Sequence, residues 1–471
     1  MLHQLRSIVG PAQLLTSDED LIAYGYDGTW FEHRPLAVVL PHTVEQVAAI
    51  HRLASAERVA ITPRALGSGL SGGSVPLTGS LVLGVAQLNR IVEIDDANRV
   101  AVVQSGVINA TLQAAVEARG LFYPPDPSSL RQSAIGGNVS ENAGGARCLK
   151  YGVTGNYVAA LEVVLPDGEI LRTGGKMVKN ATGYDLRSLF VGAEGTLGTI
   201  TEVTLRLLSK PKHTLTLTAA FDRIADAARA VSAVMASGVL PVAIELLDRL
   251  TMECLETHRP SGLPIERDAL LLFSIDGNHE DILRSELEQL ATIVRQEGAV
   301  VVQVASTPEE SNRLWEARRR VSPALAQRRP HKLGEDISVP RSSIVAMIEA
   351  IREIAARHEL LIPIFGHAGD GNLHPNILCD RRDTGEMHRV KQAACEIFSA
   401  AIALGGTLSG EHGIGLLKKQ FMTEALGETA INLMRRMKAA IDPLGIMNPG
   451  KIFPDPGGVN AFHIGQDVTL L

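Results

Sequence analysis

Two short stretches hold most of the side chains that could do chemistry. "IPIFGHAGDGNLHPNI" (362–377) sets His367 and His374 on two strand-like arms around the turn GDGN, which ends at Asn372. "LSGEHGIG" (408–415) adds Glu411 and His412 between glycines. A hairpin can bring two imidazoles to one side. Two histidines and a carboxylate with one position left open form the ligand set of a catalytic divalent metal, zinc or a similar first-row ion. Spacing alone leaves a second reading equally open, in which the histidines are hydrogen-bonded core or loop residues. Glu411 and His412 are sequence neighbours, which face opposite ways on a straight strand, so both serve one site only where the chain bends, as Gly410 and Gly413 allow. A third stretch, "WEARRRVSPAL" (315–325), offers three arginines that could clamp a carboxylate, two of them expected on a solvated helix face.

The elements that must position these groups begin with a test of the loop "TPRALGSGLSGG" (62–73), which contains G-x-G-x-x-G at Gly67, Gly69 and Gly72. Before it, "AVVL" (37–40) reads as a strand, the stretch after Thr43 as a helix with Gln46 completing a capping box, and "RVAIT" (58–62) as a second strand. A Rossmann loop requires a helix opening on the last glycine. Here Gly73, Pro76 and Gly79 intervene, and "SLVLGV" and "IVEIDDANRVAVVQSGV" follow as strands, with Asp95 and Asp96 in a hairpin turn. The Rossmann reading fails. Residues 107–120 read as a helix stopped by Gly120. Two more glycine clusters follow, "SAIGGNVSENAGGARCLKYG" (133–152) and "GYDLRSLFVGAEGTLGTITEVTLRL" (183–207), the latter ending as a strand. Glycine lets backbone N–H groups wrap a phosphate, so three such clusters predict a cradle for a large phosphorylated cofactor.

Near "SKPKHTL" (209–215) the glycine density falls, and helical stretches (222–237, 280–297, 341–358) alternate with strands such as "LLLFSID" (270–276), which places a domain boundary there. The 471 residues favour two domains over one core. With 45% hydrophobic and 21% charged residues, the chain is expected to fold nearly throughout. A net charge of -7 without any basic block argues against a nucleic-acid partner. Neither a signal peptide nor a membrane-spanning run is evident, so a cytoplasmic protein is expected. Cys148, Cys254, Cys379 and Cys395 stand too far apart for an iron–sulfur or zinc-ribbon motif.

"PRALGSGLSGG", "PPDPSS", "IGGNVSENAGG", "KYGVTGNYV", "GYDLRSLFVGAEGTLGTIT" and "DPLGIMNPGKIFP" together resemble the vanillyl-alcohol oxidase and p-cresol methylhydroxylase (PCMH) flavoprotein superfamily. Within it they resemble the FAD-linked D-2-hydroxy-acid dehydrogenases, of the glycolate oxidase D subunit, D-lactate dehydrogenase and D-2-hydroxyglutarate dehydrogenase type. The resemblance implies an α+β fold: a two-subdomain PCMH-type FAD-binding domain (1–211), an α/β substrate or cap domain with an antiparallel sheet (212–425), and a C-terminal segment (426–471) returning to the FAD domain.

Carried over residue by residue, the resemblance places Arg64, Gly67, Ser68, Gly69, Leu70, Ser71, Gly72 and Gly73 along the FAD pyrophosphate. Ser133, Gly136, Gly137, Ser140, Asn142 and Gly145 would border the flavin and ribityl chain, Glu194, Gly198 and Ile200 the adenosine half, and Asn448 and Lys451 the isoalloxazine. Ala65 stands where the family has glycine, which implies that this position needs no positive φ. The first loop has no histidine to tether a flavin, so FAD is expected to bind non-covalently. His367, His374 and Glu411 match metal ligands, with zinc or manganese expected, and His412 matches the base. Arg318, aligned through Trp315, matches the substrate-carboxylate arginine, with Ser322 one turn on; Asn372 joins the catalytic set. The role of "KLGEDISVPR" (332–341) stays open.

The expected reaction is oxidation of glycolate or D-lactate, with D-2-hydroxyglutarate the alternative. The expected acceptor is a quinone, a cytochrome, electron-transfer flavoprotein or a separate iron–sulfur subunit. Peripheral membrane association through a partner, and a homodimer, stay open. Other readings are a sugar oxidase or a nucleotide-sugar reductase on the same scaffold, a metal-dependent hydrolase, and a non-catalytic flavin-binding subunit.

Overall fold

Thr43 starts the helix Val44–Glu57 by accepting the Gln46 N–H at 3.3 Å, while the Gln46 side chain returns to the His42 N–H, one residue before the cap. Arg58 ends that helix in the left-handed region (φ 53), so the strand expected over 58–62 forms instead over Ile61–Arg64. No helix follows the glycine loop: the chain runs from Ile61–Arg64 through the loop into Leu81–Gly84, and these strands pair in parallel. Ala37–Val39 flanks Leu81–Gly84 on the other side, and Leu14–Leu15 completes a four-stranded sheet. Ile91–Asp95 and Val100–Gln104 form the expected hairpin at the edge of a five-stranded antiparallel sheet with Thr199–Arg206, Val158–Val164 and Ile170–Gly174.

This is a computed structural model, and it describes residues 1–455 and 464. Both sheets belong to a first unit made of residues 1–144, 153–210 and a stretch resuming at Glu411. The last stretch is built in firmly: Ile446 and Met447 lie in the core beside Ile50, Ile61 and Leu81, and Asn448 N–H bonds the Ile61 carbonyl at 2.7 Å. His51 ties the helix of the first sheet to the second, contacting the Leu165 carbonyl and the Thr199 hydroxyl at 2.8 and 2.9 Å.

The second unit comprises residues 145–152 and 211–410. Its eight-stranded sheet is antiparallel and runs Ala299–Val304, His213–Phe221, Ala269–Gly277, Ala243–Asp248, Ile364–His367, Asn372–Cys379 and His331–Gly334, with Ile337–Ser338 also pairing Asn372–Cys379. The helices expected at 222–237, 280–297 and 341–358 form over Ile224–Ala236, Glu280–Gln296 and Ile344–Arg357. Apolar side chains from both kinds of element, among them Leu247, Leu255, Leu325 and Phe365, share one core. Among the described residues no helix is long and apolar enough to cross a membrane.

Candidate active site

In the first unit the glycine clusters converge on one cavity whose empty volume, open mouth included, is about 1110 Å³. Gly67, Ser68, Gly69 and Leu70 form one wall with Arg64 and Gly73; Ser133, Gly136, Gly137 and Ser140 form a second; Glu194, Gly198 and Ile200 a third. Glu411 and His412 line the same cavity. Gly67 is left-handed (φ 67), and a Cβ there would overlap the Arg64 guanidinium beneath it. Arg64 therefore supports the loop from below, donating to the Tyr26 carbonyl at 2.6 Å. Ala65 is not among the positive-φ residues, in accord with its side chain.

The second glycine cluster differs from its expected loop. Ile135–Glu141 is a short helix containing Gly136 and Gly137, and a Cβ on Gly136 would meet the Ser105 Cβ at 2.5 Å, so this glycine lets the helix pack on its neighbour. Six expected contacts stand off the cavity lining. Ser71 is buried, its carbonyl accepting the N–H groups of Leu416 and Leu417, and Gly72 follows it. Asn142 caps the helix in the left-handed region and accepts the Gly155 N–H. Gly145 belongs to the second unit. Asn448 lies behind the wall, donating to the carbonyls of Gly73 and Glu194 at 2.8 and 2.7 Å, and Lys451 is 1% exposed.

The residues present fit a polar cofactor. Ser133 and Asn138 line the cavity, and among the described residues nothing hydrogen-bonds the buried Ser133 Oγ and Asn138 Nδ2, a costly state that a ligand relieves. An acid cluster flanks them. Burial, then the nearby Glu194 and Asp27 charges, push the Glu141 carboxyl well above its usual range against the pull of Lys418. Burial also raises Glu194 to about 7, although it accepts the N–H groups of Ile414 and Gly415 at 2.7 Å each. Those two bonds fix the backbone just after His412. Burial lowers Lys451 to about 8, with Glu194 opposing.

In the second unit, strand register assembles the other candidates. Phe365 pairs with His374 and His367 with Asn372, so period two puts all four side chains on one face. The imidazole centroids lie 5.1 Å apart at 88°. The next strand sets Glu245 directly opposite His367. Its carboxylate binds His367 Nδ1 and Arg318 Nε, each at 2.6 Å, and Arg318 stacks over Phe365 at 4.8 Å. Burial would raise the Glu245 carboxyl, but His367 and Arg318 outweigh it and hold it below its usual range. On the other side Asp336 accepts from Asn372 Nδ2 and Ser409 Oγ, each at 2.6 Å, and lies 3.7 Å from His374 Nδ1. His367 thus has a hydrogen-bonded, buried carboxylate behind it, the usual support of a metal-ligating imidazole, while the buried Asp336 is a neighbour of His374. Ser322 departs from expectation: the helix Pro308–Arg319 ends at Arg320, a second helix starts at Val321, and Ser322 is exposed.

Glu245, Asp336 and Glu141 were not singled out by sequence reasoning. A signal existed for the first, because Glu245 interrupts the apolar strand run "VAIELL" and an acid inside a buried strand needs a partner.

Residues 35–174 match the family description "FAD binding domain", and residues 210–452 match "FAD linked oxidases, C-terminal domain". The chain belongs to the FAD-linked oxidases. This FAD-linked oxidase is 46% identical over 452 residues to the glycolate oxidase subunit GlcD of Bacillus subtilis, covering 96% of both chains. It is 35% identical to a D-2-hydroxyglutarate dehydrogenase of Stutzerimonas stutzeri (96% and 98% covered) and 34% to a D-lactate dehydrogenase of Anaerostipes hadrus (96% and 97%). Its fold is that of p-cresol methylhydroxylase, at a TM-score of 0.80, 18% identity and 96% coverage of both chains.

Proposed function

We propose that this FAD-linked oxidase is a dehydrogenase of a small D-2-hydroxy acid, glycolate or D-lactate first and D-2-hydroxyglutarate second. The names of its relatives support this class. The observation that carries it is the Arg318–Glu245–His367 chain, a carboxylate-binding group tied to an imidazole by one buried acid. FAD, once bound along the first unit's cavity without a covalent link, supplies the hydride acceptor. A zinc or manganese ion held by His367, His374 and Glu411 would supply Lewis-acid stabilisation of charge developing on a hydroxyl oxygen.

The chain's own residues do the remainder. Arg318 holds the substrate carboxylate, and Phe365 backs its guanidinium. His412 takes the hydroxyl proton, in a segment whose backbone Glu194 fixes two residues on. Asn372, anchored on Asp336, is held opposite His367 at the start of the strand that carries His374. Electrons then pass to a separate acceptor, a quinone, a cytochrome, electron-transfer flavoprotein or an iron–sulfur subunit. The subunit names of relatives support an assembly with further chains, and we place the protein in the cytoplasm.

Anaerobic mixing with a panel of D- and L-2-hydroxy acids tests the reading. Loss of the flavin absorbance with glycolate or D-lactate, and not with L-lactate, is expected; no bleaching with any member of the panel overturns it.

A further inference from the structure

We infer that Glu245 is a positioning residue in which one carboxylate sets both the direction from which Arg318 receives its anion and the tautomer of His367. The inference rests on the proposed function for its two ligands and on geometry alone for the clasp itself.

Glu245 is fully buried in the middle of the strand Ala243–Asp248, where an isolated carboxylate would be costly. Nothing in the packing of that strand requires an acid, since Ile244, Leu246 and Leu247 around it are apolar. Its two oxygens are used separately: Oε2 accepts from Arg318 Nε and Oε1 contacts His367 Nδ1, each at 2.6 Å. Both distances are in the short range of charge-assisted bonds.

Two consequences follow from this division. A guanidinium can grip a carboxylate either side-on, through Nε and one terminal nitrogen, or end-on, through its two terminal nitrogens. With Nε occupied by Glu245 and the ring of Phe365 covering one face, Arg318 keeps only the end-on fork for an incoming anion. The second consequence concerns His367. A carboxylate cannot donate, so Nδ1 carries the proton, and in the neutral imidazole Nε2 is then the lone-pair nitrogen, the one able to bind a cation. Strand pairing makes the arrangement stiff, because Glu245 and His367 are opposite one another in register.

Glutamine at this position is the discriminating change. It has the same shape, but one of the two oxygen positions becomes an NH2 donor, so it cannot accept the Arg318 Nε–H and the His367 Nδ1–H at the two places the carboxylate oxygens hold. Either the arginine is released or the imidazole switches tautomer.

The first measurement uses the wild-type protein without metal: two-bond nitrogen–proton couplings of ¹⁵N-labelled histidine, with His367 assigned by its loss in His367→Gln. The Nδ1–H tautomer is expected; the Nε2–H tautomer overturns the clasp whatever the enzyme's substrate. The second measurement uses Glu245→Gln holoprotein with unchanged flavin content and melting temperature. Its zinc affinity, measured with zinc alone against a competing chelator dye, falls about 10–100-fold, the range for loss of a ligand's outer hydrogen bond. KM for D-lactate rises more than kcat falls, and in an Arg318→Met background the further KM change on adding Glu245→Gln shrinks to under about twofold. Zinc affinity and KM both within about twofold of wild type in Glu245→Gln overturn the inference. A wild-type protein that oxidises no 2-hydroxy acid fails the proposed function instead, and the tautomer measurement still decides the clasp.

Discussion

The glycine-lined cavity of the first unit and the histidine hairpin of the second are built in different ways. The cavity is built from irregular backbone: small residues, left-handed turns and buried polar atoms such as Ser133 Oγ and Asn138 Nδ2, which have no partner among the described residues. The hairpin is built from regular strand pairing, and its polar groups are tied to one another, Glu245 to Arg318 and His367, Asp336 to Asn372 and Ser409. A long cofactor that stays bound can complete the protein's own hydrogen bonding. A small substrate that turns over must meet side chains already held in place without it.

The comparison breaks most readily at the hairpin. His367→Ala or His374→Ala is expected to cut flavin reduction by a 2-hydroxy acid roughly a thousandfold, about 4 kcal/mol, while bound FAD stays unchanged, as rapid-mixing absorbance and flavin content would register. Exhaustive chelation should reproduce that loss and added zinc or manganese reverse it; full activity after chelation removes the metal. Arg318→Met should raise KM for the same acid about a hundredfold, the scale of a lost charge-assisted pair. It releases Glu245 from one of its partners, so a smaller drop in zinc affinity should accompany it.

Changes in the first unit sharpen the contrast with smaller effects. Gly67→Ala forces a side chain into the left-handed region and against Arg64, and FAD affinity should fall about tenfold, measured by flavin fluorescence on dilution. The change that leaves activity untouched is a pH dependence of stability. Burial lowers His51 from 6.5 to about 4, so its contribution is fully present above pH 6.5 and is lost as pH falls through about 4. The sign follows because the unfolded chain takes up the proton first. The loss is at most on the order of 3 kcal/mol, and His51→Gln, which keeps one donor and one acceptor, should flatten the melting temperature between pH 6.5 and 4 relative to wild type.

What could be read in the sequence follows from the range of the forces involved. Asp95 and Asp96 at their hairpin turn, Thr43 at its cap and the absence of a helix after Gly73 depend on neighbours a few residues away, and these are legible. The short helix over Gly136 and Gly137 was not, because two glycines argue against a helix locally and close packing on Ser105 overrides them. Ser322 was misplaced because the helix break at Arg320 lies in a stretch with no glycine and with its proline two residues inside the next helix. His367 and His374 could be paired through their hairpin, seven residues apart. Glu245 could not, since it reaches His367 across 122 residues of chain through strand order alone.

The way the first unit is stitched from separated lengths of polypeptide carries a consequence for biosynthesis. A ribosome that has released residues 1–400 has delivered the glycine loops, but not Glu411 and His412 of the cavity lining or Ile446 and Met447, which share the core with Ile61. The cofactor compartment therefore closes only after residue 447 has emerged, and a nascent chain must carry those loops open until then.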